Sequence, residues 1–295
     1  MHYAPRRIED VREVAADLAI VAVKAYDTDG AIETLQRALP PGSDATLLTP
    51  QNGVGNEERL ADAFGADRIV AGALTVPLER LPDGTIVAAN RGGLALAPVG
   101  GVAHNWLLAA FARTPIPLKV VSDYRALKWS KLALNAVANA SCAILDILPE
   151  RLVKLDGPFG LEIDAMRETR AVMAALNLRP VDLPRYPLRA LQAATALPRP
   201  LAEKLLANRI ARARGHKPPS LLLDVRAGRG VTEVAVLNGA VAAAGARAGI
   251  ATPVNAAFAR LTELVARDEA ARARYRDDPA ALVAAVADGP STSSG

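Results

Sequence analysis

The opening stretch of the chain alternates short apolar runs, rich in branched residues, with amphipathic segments. DLAIVAVK (17–24), ATLLTPQ (45–51) and RIVAGALTV (68–76) have the length and branching of strands, and the helical AIETLQRAL separates the first two. Such alternation predicts a parallel sheet in an α/β layer. Pro82, Asp83 and Gly84 mark a hairpin-like reversal, and the strand-like LKVVSD runs up to Tyr124. From Arg125 onward the period becomes helical, predicting helices near 125–148, 157–177, 186–195, 199–213, 231–248, 254–266 and 268–286. The fold class is therefore α/β plus all-α, with domains over 1–122 and 123–288. Asp123 is a helix cap at the boundary. The small polar end, 289–295, is expected to be disordered.

Within the first predicted helix of the second domain, WSKLALNAVANASCAIL places Lys131, Asn135 and Asn139 four residues apart. Each step of four turns a helix by about 400°, so one continuous helix would carry all three along one face. Leu132, Leu134, Ala136, Val137 and Ala138 cover the other sides, which points to burial rather than a solvated surface stripe. A buried ammonium beside two carboxamides is costly unless an anion, a carbonyl or an acid meets them. Desolvation also lowers a lysine pKa, making the ammonium a usable proton donor near neutrality.

The run K-L-A-L-N-A-V-A-N resembles the catalytic helix of the ketopantoate reductase family, NADPH-dependent enzymes that reduce 2-ketopantoate to pantoate in pantothenate biosynthesis. Four more segments match in order: DLAIVAVKAY with Lys24, LLTPQNGVGNEE with Asn52, PPSLLLDVRAG with Ser220 and VTEVAVLNG with Glu233. The resemblance implies a Rossmann-type sheet followed by the family's helical C-terminal bundle. It also implies that Lys131 and Glu233 are catalytic, and that Asn135, Asn139 and Ser220 bind the substrate. Lys24, Asn52, Gly53 and Glu233 would then lie against NADPH, with Asn52 near the nicotinamide. Plainer readings stand beside these. Lys24 could be a solvated strand end, N-G-V-G an ordinary turn, Thr232 and Glu233 a helix start, and Ser220 a cap. Pro149 stands where many members carry an asparagine that touches substrate, so a related 2-keto acid is an alternative substrate.

Composition agrees with an enzyme. The 295 residues are 51% hydrophobic, enough for a sizeable core and two domains. Cys142 is the single cysteine, and the N-terminal MHYAPRRIEDVRE is charged where a signal peptide is apolar; both predict a cytoplasmic protein. Thirty-five basic against 31 acidic residues leave a net charge of only +4. The cluster Arg209, Arg212, Arg214, His216 and Lys217 has no interleaved aromatics, so no nucleic-acid partner is expected, and no membrane partner either. The expected partner is a small-molecule 2-keto acid, with a homodimer as one assembly option.

A dinucleotide-binding domain normally opens with a strand entering G-x-G-x-x-G. No such segment precedes the first predicted strand, so the reading frame is expected to begin upstream of Met1, and Asp17 to Val23 to lie at a sheet edge unless a partner chain or the N-terminal residues cover it. The same feature admits a rival reading: a noncatalytic protein that binds an acid or a partner chain. A structural dimerisation module is a third option, but it would not need a polar stripe inside an apolar helix.

Overall fold

The computed structural model describes residues 14–81, 83–89, 91–214 and 217–289, with the side chains of 79, 80 and 212–214 left aside. The N-terminal MHYAPRRIEDVRE, Pro82 of the hairpin, His216 of the basic cluster and the tail from 290 onward lie outside the described residues, as do the side chains of Arg212 and Arg214. The chain falls into two compact units. One runs to Lys128 and takes in Leu183–Tyr186; the other holds Trp129–Asp182 and continues from Pro187.

In chain order the first unit contains β1 (Leu18–Ile20), α1 (Thr28–Ala38), β2 (Thr46–Thr49), α2 (Asn56–Phe64), β3 (Ile69–Leu74), β4 (Leu78–Arg80), β5 (Ile86–Ala88), β6 (Leu94–Pro98), α3 (Asn105–Ala112) and β7 (Leu118–Val120). Five strands form one sheet in the order β1-β2-β3-β6-β7. β1, β2 and β3 run parallel, β6 is antiparallel to β3, and β7 is parallel to β6. The sheet is thus parallel in its first half and mixed as a whole. Among the described residues β1 lies at an edge of this sheet, as expected.

Side chains alternate across the sheet, and neighbours on one strand feed opposite cores. Leu47 packs with Val21, Leu60 and Ile69 beneath α1 and α2, whereas Leu48 packs with Val70, Leu94, Leu96 and Leu107 beneath α3. Both faces of the central strands are therefore covered, which explains why their sequences read as nearly unbroken apolar runs. The reversal at Asp83 and Gly84 joins β4 to β5 as an antiparallel hairpin. Gly84 takes a φ of 87° there, and Asp83 accepts a 2.9 Å hydrogen bond from the Thr85 N–H, which draws its carboxyl below the ordinary range.

Two expectations for this unit need correction. DLAIVAVK is ladder-paired as a strand over Leu18–Ile20 only, so Lys24 does not close it. The Val23 carbonyl is taken by the Gln51 side chain, and the Lys24 carbonyl accepts from Asp27 N–H to open a 3-10 turn over Ala25–Asp27. Likewise β2 stops at Thr49, three residues before Asn52. Pro50, with no N–H to give, follows at once.

The division between units falls within α4 (Tyr124–Ala136), whose start is capped by Asp123 accepting from Ala126 N–H at 3.0 Å. The second unit continues with α5 (Ala140–Leu145), α6 (Pro149–Leu152), α7 (Asp156–Ala175), α8 (Leu188–Ala194), α9 (Arg199–Arg214), α10 (Ser220–Arg226), a 3-10 turn (Glu233–Val236), α11 (Asn238–Ala248), α12 (Pro253–Arg267), α13 (Glu269–Tyr275) and α14 (Pro279–Ala287). α12 is the hub, packing on α5, α7, α10 and α11. Its buried stripe of Val254, Phe258, Leu261 and Val265 has the helical spacing that a core-facing helix requires.

Three predicted helices are broken in this unit. The stretch 268–286 divides at Asp277, which has a φ of 57°, and Asp278 then caps the Pro279 start of α14. The stretch 231–248 divides at Leu237. The third break, within 125–148, shapes the candidate site. Among the described residues no helix is long and apolar enough to cross a membrane.

Candidate active site

The first group of candidate residues lies where β1 and β2 end. Lys24 and Asn52, both half-buried, follow Val23 and Gln51, and the two strand exits are tied together by buried polar groups. Gln51 Nε2 donates to the Val23 carbonyl at 3.0 Å and to Thr28 Oγ1 at 2.9 Å, while its Oε1 accepts from Thr49 Oγ1. Thr28 in turn donates to Asn56 Oδ1, and Asn56 Nδ2 donates to the Asn52 carbonyl at 3.0 Å. Gly53 and Gly55 have φ values of 82° and 98°, which other residues rarely adopt, and they bend the chain from β2 into α2. N-G-V-G is accordingly a turn in shape, and its position at the carboxyl end of parallel strands is where open α/β sheets receive ligands.

Sequence reasoning missed a buried charge pair at the same place. Lys128 and Glu57 are each 1% exposed and meet at 2.8 Å. The ammonium also donates to the Gln51 carbonyl at 2.5 Å and approaches the Gly72 carbonyl at 3.5 Å. Desolvation pushes the Glu57 carboxyl above its ordinary value, with Lys128 pulling the other way. The available signal was a lysine set between apolar Leu127 and Trp129, but nothing local in the sequence names its partner.

In the second unit, Lys131 is 9% exposed and Asn139 2%, with Asn135 half-buried, so the stripe is largely buried rather than solvated. It is not carried by one helix. α4 ends at Ala136, Ala138 adopts a φ of 53°, and α5 starts afresh after Asn139. The cause is side-chain competition with the helix ladder. Asn139 Nδ2 takes the Asn135 carbonyl at 3.2 Å, the acceptor its own N–H would have used, and the buried Glu162 accepts from Ala138 N–H at 2.8 Å and from Ser141 Oγ.

The break turns Asn139 toward α10. Its Nδ2 donates to Ser220 Oγ at 3.3 Å and its Oδ1 accepts from Leu221 N–H at 3.0 Å. The capping role considered for Ser220 belongs instead to Asn139, which satisfies an orphan N–H at the start of α10. Asn135, Asn139 and Ser220 thus form one bonded group, with Lys131 one turn before Asn135 on α4. Glu233, buried at the start of the 3-10 turn that Thr232 caps, sits on an element packed against α12, as α5 and α10 do. Both Glu233 and Lys131 have hydrogen-bonding or electrostatic partners. Asn238, set aside in the sequence, donates to Asn255 Oδ1 at 3.0 Å and supports the bundle.

A parallel-led sheet with a glycine-bent polar loop at its carboxyl edge, continued by a helical unit that buries a lysine beside two asparagines and a serine, defines a Rossmann-like oxidoreductase architecture. The chain belongs to the ketopantoate reductase family. Family models match it as "Ketopantoate reductase PanE/ApbA" over 2–101 and "Ketopantoate reductase PanE/ApbA C terminal" over 123–266. A 2-dehydropantoate 2-reductase of Caulobacter vibrioides is 30% identical over 250 residues, covering 85% of this chain and 78% of that one. Among solved structures, a PanE/ApbA family ketopantoate reductase from Ralstonia eutropha JMP134 has 28% identity and a TM-score of 0.69, covering 85% of this chain and 76% of the other. D-Mandelate dehydrogenase, solved with NADH and anilino(oxo)acetate, shares the fold with a TM-score of 0.69 at 19% identity, over 88% and 78% of the two chains.

Proposed function

We propose that the protein reduces 2-ketopantoate (2-dehydropantoate) to pantoate, with NADPH as the donor. The observation that carries this reading is the buried Lys131 beside the bonded group of Asn135, Asn139 and Ser220. Family membership supplies the reaction class, an NAD(P)-dependent reduction of a small keto acid.

The residues at the strand ends fit a nicotinamide nucleotide. Asn52 offers an amide for the carboxamide of the ring, Gly53 and Gly55 keep the backbone low at the site, and Lys24 adds positive charge for an anionic group. When bound, the cofactor supplies hydride to the 2-keto carbon. Lys131 is assigned to meet the charge growing on the carbonyl oxygen and to give that oxygen a proton. Ser220 accepts from Asn139, which leaves its own O–H to donate to the substrate carboxylate. Asn135 and Asn139 orient the acid and hydroxyl ends. Glu233, buried at the start of its 3-10 turn, is assigned a negative charge that would offset the lysine's.

Steady-state assays with 2-ketopantoate and a panel of other 2-keto acids, each with NADPH and with NADH, test this reading. The expected result is the highest kcat/KM for 2-ketopantoate with NADPH. Turnover of a different 2-keto acid alone moves the substrate assignment, and no cofactor binding by calorimetry favours the noncatalytic reading.

A further inference from the structure

Lys128 is fully enclosed, yet it has no part in the proton and hydride chemistry assigned above. Burying an ammonium costs several kcal/mol even after relaxation, and replacing a buried ion pair with apolar residues is often neutral or stabilising. Stability alone is thus a weak reason for this pair, so its geometry is the better guide to its role. The ammonium spends one donor on Glu57 and another on the Gln51 carbonyl at 2.5 Å, with the Gly72 carbonyl of β3 at 3.5 Å. The Gln51 carbonyl belongs to the peptide that leads into Asn52. From the other side, the Gln51 side chain holds the Val23 carbonyl, which leads into Lys24. Beyond Thr49 the β-ladder has ended and Pro50 offers no donor, so the Gln51 carbonyl would otherwise have no fixed partner.

We propose that Lys128 is a positioning residue: it pins the Gln51–Asn52 peptide through the Gln51 carbonyl, with Glu57 neutralising it, so that Asn52 is held ready for the nicotinamide cofactor. The inference rests on the cofactor role proposed for Asn52. It predicts that Lys128 governs cofactor affinity and loop order, while the keto acid site on α4 and α10 does not depend on it.

The test compares K128M/E57Q, E57Q and K128R with the full wild-type chain. The double variant removes both charges together and so avoids stranding one of them. Losing one charge-assisted hydrogen bond corresponds to roughly a tenfold effect. K128M/E57Q is therefore expected to bind NADPH about tenfold more weakly in calorimetry and to exchange the amide hydrogens of residues 52–55 about tenfold faster. KM for the keto acid at saturating cofactor should stay within about twofold of wild type. E57Q keeps the Gln51 contact and is expected to hold cofactor affinity near wild type, and K128R to restore most of it. A double variant with wild-type NADPH affinity and unchanged exchange overturns the proposal, as does E57Q alone reproducing the whole loss. If the wild-type chain binds neither NADPH nor NADH, the functional reading falls. The exchange measurement then decides separately whether Lys128 orders the loop.

Discussion

The two units solve opposite backbone problems at their candidate sites. Where parallel strands end, carbonyls emerge without ladder partners, and the first unit supplies donors: Gln51 Nε2 to Val23 and Lys128 Nζ to Gln51. Where a helix breaks and restarts, N–H groups are orphaned, and the second unit supplies acceptors: Glu162 to Ala138 and Asn139 to Leu221. Donors at strand ends come from a lysine and an amide, and acceptors at helix starts from a carboxylate and an amide. In both units the residue next to the pinned peptide is the one assigned to ligand binding. Site geometry therefore follows from finishing the backbone's hydrogen bonding, with chemistry placed at the positions so fixed.

The comparison breaks most visibly at Lys128. The single change K128M strands Glu57 without its counter-charge and is expected to cost about 3–5 kcal/mol in urea unfolding, more than any single change in the second unit's amide group. The sign with pH is specific. Burial raises the Glu57 carboxyl even with Lys128 pulling the other way, so without the lysine burial acts unopposed by it and the ionised form becomes the costly one. The loss should be smallest in the ordinary glutamate range and below, and grow as pH rises through the raised value. A loss independent of pH would mean that Glu57 is not the stranded charge.

On the other side, Lys131→Ala is expected to lower kcat about a hundredfold or more, equivalent to about 2.7 kcal/mol, with little change in unfolding midpoint. Near-normal turnover in that variant would remove Lys131 from the mechanism. Asn139→Ala removes the side-chain acceptor of Leu221 N–H and the side-chain donor to the Asn135 carbonyl, for an expected stability loss of about 1–3 kcal/mol. N139D retains the acceptor for Leu221 and should recover part of that loss; if both variants unfold alike, the cap on α10 is not what Asn139 contributes.

The smallest effect is spectroscopic. The Tyr124 phenol is pushed up to about 12 by burial first and then by the Glu58 carboxylate, which it meets at 3.2 Å. Its folded value lies above the unfolded one, so the stability it contributes is complete below about pH 10 and lost as pH rises through 12. Ultraviolet titration should show Tyr124 titrating late, and E58Q should move it lower without bringing it all the way to the ordinary value. A titration unchanged by E58Q would leave burial as the sole cause.

Several elements were legible from residues alone. Branched apolar runs locate β2 and β3, period-3.6 patterns locate α7, α9 and α12, and Asp123 signals the start of α4, because strand burial and helix capping are local preferences written in a few adjacent side chains. The β6 strand, LALAP, was not anticipated, since a short apolar run beside two glycines carries no period of its own. The candidate residues were found by motif. The break that orients Asn139 was not, because WSKLALNAVANASCAIL reads as one apolar helix until Glu162 on α7 competes for Ala138 N–H.

By itself, then, the sequence determined most of the strand and helix segments, that Lys131 and Asn139 are buried, and which side chains are candidates for chemistry. The tertiary structure alone decided that Glu57 faces Lys128, that Asn139 rather than Ser220 caps α10, and that Lys24 and Asn52 leave strands tied together by Gln51. The physical reason is range. Backbone preference and apolar periodicity act over a turn or a strand, whereas the partner of a buried charge or an orphan N–H is set by which distant elements the packed core brings within about 3 Å.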